Sequence, residues 1–140
     1  MLIDELKKAN IEAMKARDQI ARGALSVVLT KSKLVEVELK AKGQELADSN
    51  VLEIIQKTLK ELSDEKEGYT KVNNTEKVES IVKQEEILKA FLPKQLTREE
   101  ILAEIEKLDD KSMPSVMRHF KANFAGQVDM SLVSQIARGL

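Results

Sequence analysis

The sequence predicts an all-α protein, four longer helices forming an N-terminal lobe, then a proline hinge and a small three-helix C-terminal lobe. Three observations carry that expectation. Five Gly and two Pro in 140 residues leave few turns. Three Phe, one Tyr and no Trp leave few of the aromatic residues that favour strands. Apolar residues recur at spacings of three and four, the period of a helix with one buried face. Hydrophobic residues at 42% and charged residues at 34% suffice for a core and a solvated surface, which excludes disorder as the default state.

The elements follow in order. Leu2, Leu6, Ala9, Ala13 and Ala16 line one face of a first helix. Asp18 offers an N-cap for a second, which runs without proline from Gln19 to Lys42. Its seam is Ala21, Leu25, Val28, Ser32, Val35 and Leu39, while Ile20, Ala24, Val27 and Leu34 widen the apolar surface and predict neighbours on more than one side. Gly43 after Lys40 and Lys42 marks its end.

Asp48, Ser49 or Asn50 caps a third helix with Val51 or Leu52, Ile55, Leu59 and Leu62 inward; the polar Ser63–Gly68 stretch predicts an exposed or frayed continuation. Asn73-Asn74-Thr75 opens a fourth, with Val78, Ile81, Val82, Leu88 and Leu92 inward. Pro93 disfavours helix at Leu92 and has no amide to continue the ladder. Leu92 and Pro93 are therefore the expected hinge between residues 1–92 and 93–140. Beyond it, Thr97 and Glu100 form a capping box ahead of Ile101, Leu102, Ile105 and Leu108. Ser112 and Pro114 open a sixth helix bearing Val116, Met117, Phe120 and Phe124, stopped by Gly126. Asp129 caps the last, through Leu132, Val133, Ile136 and Ala137 to Gly139.

Charge and composition then narrow the function. Twenty-three Lys and Arg against 24 Asp and Glu give a net charge of −1, so any nucleic-acid binding needs a local patch. Residues 1–43 carry a net +3, residues 44–96 a net −3 and residues 97–140 a net −1. Within 112–140, however, Arg118, Lys121 and Arg138 face one acidic residue, Asp129, and His119 stands beside them. The absence of Cys removes disulfides and thiolate chemistry. No apolar run approaches the roughly 18 residues of a membrane span. These features predict a cytoplasmic protein without a membrane partner.

No catalytic set emerges. His119 is the single histidine and has no acidic residue three or four positions away, so no metal site is expected. Ser80-Ile81-Val82-Lys83 matches a serine acyl-enzyme tetrad but lacks the accompanying motifs. The carboxylate pairs Glu85-Glu86, Glu99-Glu100 and Asp109-Asp110 read as solvated helix faces and helix ends. Five scattered glycines form no phosphate loop, so no cofactor is expected.

Three stretches carry a family resemblance. Ala13-Met14-Lys15-Ala16-Arg17-Asp18 looks like the opening of the GatB/YqeY family, and Gly43-Gln44-Glu45-Leu46-Ala47-Asp48 resembles its next turn. Glu85-Glu86-Ile87-Leu88-Lys89-Ala90-Phe91-Leu92-Pro93-Lys94-Gln95-Leu96-Thr97 is the most specific match and resembles its interdomain passage. The family joins YqeY-like proteins to the helical and tail region of the B subunit of tRNA-dependent amidotransferase. The resemblance implies two helical lobes, an amidotransferase label that reflects ancestry rather than activity, and a tail that holds tRNA. Asn123, Ala125 and Gln127 stand where members are commonly basic, and Arg118 and Lys121 supply charge in the same segment. The expected function is a noncatalytic tRNA- or structured-RNA-binding protein, its interface Arg118, His119, Lys121 and Arg138. The competing expectation is a module for a protein partner, docking through a groove between the lobes.

Overall fold

The computed structural model describes residues 1–139, which form seven helices and, among those residues, no strand. The chain divides into two compact units, Met1–Phe91 and Leu92–Leu140.

The first unit holds α1 (Leu2–Lys15), α2 (Gln19–Ala41), α3 (Asp48–Lys71) and α4 (Thr75–Lys89). Helix α2 is central, packing against the other three. Its buried residues Ala21, Ala24, Leu25, Val28 and Ser32 meet a core that includes Leu6, Val51, Ile55, Ile81 and Leu88. The backbone N–H of Leu2 donates to Asp48 Oδ1 at 3.1 Å, tying the start of α1 to the start of α3.

Helix ends are closed by one device used three times. Arg17, Gly43 and Asn73 take left-handed φ values of 58°, 73° and 57°. Each sits one place beyond a helix cap, and the next amide reaches back five residues: Asp18 to Ala13, Gln44 to Leu39 and Asn74 to Tyr69, at 2.8–3.0 Å. Asp18 and Asn74 then cap the following helices, accepting from the N–H groups of Ala21 and Lys77.

Several sequence expectations are corrected here. Of the two readings after Leu62, the exposed continuation holds, α3 running on to Lys71. It buries Ile54 and Thr58 where Leu59 was expected, because the Thr58 hydroxyl donates to the Ile54 carbonyl at 2.8 Å and so loses no hydrogen bond inside. It is capped from within, Asn50 Oδ1 accepting from the N–H of Ala47 at 2.8 Å. On α4, Val82 points outward and Glu85 takes a buried place, its carboxylate 2.7 Å from Lys66 Nζ of α3. Val27 and Leu34 have no covering neighbour and are exposed.

The second unit holds α5 (Arg98–Glu106), α6 (Met113–Asn123) and α7 (Met130–Arg138). Ile101, Ile105, Val116, Phe120, Val128, Val133 and Ile136 form its core, with Leu96, Met117, Phe124 and Leu132 packed against it. The Thr97–Glu100 capping box is present in both directions at 3.2 Å. Ser112 makes no side-chain cap for α6. Asp110 serves that helix start instead, accepting from the Ser112 N–H at 2.9 Å and the Ser115 hydroxyl at 2.7 Å.

Candidate functional site

Helix α6 turns Val116 and Phe120 into the core, which leaves the opposite face to Arg118 and Lys121, both exposed. The two are three residues apart and so lie on neighbouring positions of that face. Arg138 is the last residue of α7 and is exposed as well. Among the described residues, neither Lys121 nor Arg138 has a carboxylate within ion-pair distance. Arg118 has an acidic neighbour in Asp110, whose pKa is lowered to about 2 chiefly by the Ser115 hydroxyl and the Ser112 amide, with a smaller pull from the Arg118 guanidinium.

His119 is placed differently from the three cations. It is half-buried at the edge of α6, its ring edge-on to Phe120 and Phe124 with centroids 5.4 and 5.8 Å away. Nε2 lies 3.6 Å from Glu104 Oε2 of α5, and Nδ1 lies 3.2 Å from Asn123 Nδ2. Asn123 also donates to the His119 carbonyl at 3.0 Å, so a residue at a commonly basic family position holds the ring in place. The Glu104 contact was missed in the sequence because it comes from another helix rather than from the i±3 or i±4 positions of α6. No residue of α6 signals it, and Lys107, three residues further along α5, lies 3.6 Å from the same carboxylate.

The expected hinge residues are also placed. Leu92 is half-buried and Pro93 exposed, both outside any helix. Directly after them the chain is anchored, since Gln95 Nε2 donates to the carbonyls of Pro93 and Gly126 at 3.0 and 2.6 Å. The Leu96 N–H donates to the Gln127 carbonyl at 2.8 Å. This ties Gln127, another commonly basic family position, to the segment after the proline through its backbone.

The remaining candidates are not brought together. Ser80 and Lys83 both lie on α4, with no hydrogen bond between them. Among the described residues no three His, Asp or Glu side chains gather as a metal site. Among the described residues no helix is long and apolar enough to cross a membrane. Comparison with known families finds one whose description is Yqey-like protein and whose model matches residues 3–140. A search of curated proteins finds no match.

Proposed function

Because the chain belongs to the YqeY-like protein family, we propose that it works without catalysing a reaction, as a binder of tRNA or another structured RNA in an accessory role related to tRNA-dependent amidation. The observation that carries this reading is the solvent-facing set Arg118, Lys121 and Arg138, of which Lys121 and Arg138 are unpaired among the described residues. Unpaired exposed cations are the groups free to neutralise phosphate. His119 enters as a neighbour that shapes this surface, its Nδ1 3.2 Å from Asn123 Nδ2 and its buried Nε2 3.6 Å from Glu104 without a hydrogen bond. The likeness of its interdomain passage to the amidotransferase B subunit supports tRNA as the RNA. That role places the protein in the cytoplasm.

Three neutralised phosphates correspond to a log–log salt slope of about −2 to −3, so binding is weak and fades quickly with salt. Recognition rests on the shape of a folded RNA, because three Phe and one Tyr supply few platforms for unpaired bases. The test is titration of labelled tRNA at several salt concentrations with the wild type and the triple variant R118E/K121E/R138E. The triple variant should lose binding with unchanged helical circular dichroism. A control reversing Lys57, Lys60 and Lys77, all exposed in the first unit, should retain it. Lys66 is unsuitable for that control because it balances buried Glu85. Binding kept by the triple variant, or absent from the wild type at low salt, overturns the proposal and favours a protein partner.

A further inference from the structure

Helix α2 carries a second apolar seam, on the side opposite the one that its own chain buries. Gly23, Val27, Thr30, Leu34, Val37 and Ala41 follow at spacings of four, three, four, three and four, the alternation of a coiled-coil seam, and all six are exposed. Leu34 is 62% exposed, Val37 57% and Val27 43%. The stripe runs for roughly 27 Å at 1.5 Å per residue. It carries no charged side chain.

The charges along its two edges say what fits. With Val27, Leu34 and Ala41 at the first core position of each heptad and Gly23, Thr30 and Val37 at the second, Lys33 falls on one edge and Glu38 on the other. Lys40 follows Lys33 along the same edge, one heptad later, and both lie against Glu36 of their own helix, at 3.9 and 3.2 Å, in exposed contacts weak enough for a second carboxylate to compete with. Glu38 is exposed and makes no ion pair among the described residues. Lys31, also on the Glu38 edge, is spent within the fold, 2.6 Å from Glu61 and 3.3 Å from the Thr58 hydroxyl of α3. We infer that this stripe is covered by α2 of a second copy of the chain, parallel and in register. That arrangement brings Lys33 of each copy beside Glu38 of the other, twice by symmetry, and sets Leu34 against Leu34. An antiparallel pair would instead set the two lysine edges against each other. The seam is shorter than three heptads and includes Gly, Thr and Ala, so the dimer forms at high protein concentration and dissociates on dilution.

Sedimentation equilibrium of the full chain tests the inference. The wild-type mass should rise toward that of a dimer with concentration. L34D should stay monomeric throughout, and V82D, which alters an exposed valine on α4, should behave as wild type. E38K should weaken association about five- to tenfold, as expected for two exposed ion pairs replaced by repulsion. K33E/E38K should restore it by exchanging the two edges. A wild type that is monomeric at every concentration, an L34D variant that still dimerises, or a double variant no stronger than E38K overturns the inference. Should L34D lose helicity, L34C decides in its place, since the chain has no cysteine of its own. Mild oxidation should cross-link L34C into dimers, and its failure to do so equally overturns the parallel register.

Discussion

Replacing Lys66 by Met should destabilise the first unit through the carboxylate it leaves behind. Glu85 has a side chain 9% exposed, and its Oε1 rests 2.7 Å from Lys66 Nζ, a side chain 33% exposed. Removing one partner of a fully buried pair costs about 3–5 kcal/mol, because the remaining charge is uncompensated. Here the third of Lys66 that meets water marks a route by which solvent reaches the carboxylate, which brings the expected cost of K66M to about 2 kcal/mol. For a unit of this size that corresponds to a fall in Tm of about 10 °C. Replacing both residues, K66M/E85M, removes the stranded charge and should return stability to within about 1 kcal/mol of wild type. Urea unfolding followed by the fluorescence of Tyr69 gives the measurement, since Tyr69 is the sole tyrosine, there is no Trp, and it lies one turn from Lys66 on α3. A K66M variant within about 0.5 kcal/mol of wild type would refute the reasoning, because it would mean that Glu85 is solvated without its lysine.

Three further outcomes are expected. R17G should stabilise the first unit by about 1 kcal/mol, read as a higher urea midpoint, because Arg17 bears a side chain at a left-handed φ that glycine adopts freely. Asp110 has its pKa lowered in the folded chain from 3.8 to about 2, so its contribution is complete above the higher value and is lost as pH falls through the lower. The urea midpoint of the second unit should fall over that window in the wild type and not in D110N; equal slopes would disprove the linkage. Brief trypsin treatment should cut first after Lys94, which is exposed and outside any helix. First cleavage within α2 or α3 would contradict the two-unit organisation.

What the sequence disclosed was whatever depends on near neighbours along the chain. The seven helices, the Thr97–Glu100 box, the Asp18 cap and the glycine stop at Gly43 all rest on contacts spanning a few residues. The misreadings share the opposite character. Glu85 reads as solvated until Lys66, 19 positions earlier, is placed against it. Val27 and Leu34 read as core because hydropathy counts apolar residues without saying which side of α2 the other helices take. The same holds for the candidate surface: the exposure of Arg118 and Lys121 follows from the phase of α6, whereas the Glu104 contact to His119 depends on how α5 and α6 are each packed on α7.

The shared closure at Arg17 and Asn73 bears on which length changes the chain can tolerate. At both junctions a single residue, Asp18 or Asn74, completes the end of one helix with its amide and starts the next with its side chain. One residue added or deleted there breaks both functions at once and rotates the following helix by about 100°, turning its apolar face away from the core. The segment between Gly43 and Asp48 separates the two tasks: Gln44 closes α2, while Asn50 and Ala47 open α3. Length variants, grafted peptides and inserted tags should therefore survive between Gln44 and Leu46 and fail at Arg17-Asp18 and Asn73-Asn74, so the two tight corners keep the frame of the hairpins and the longer link absorbs the change.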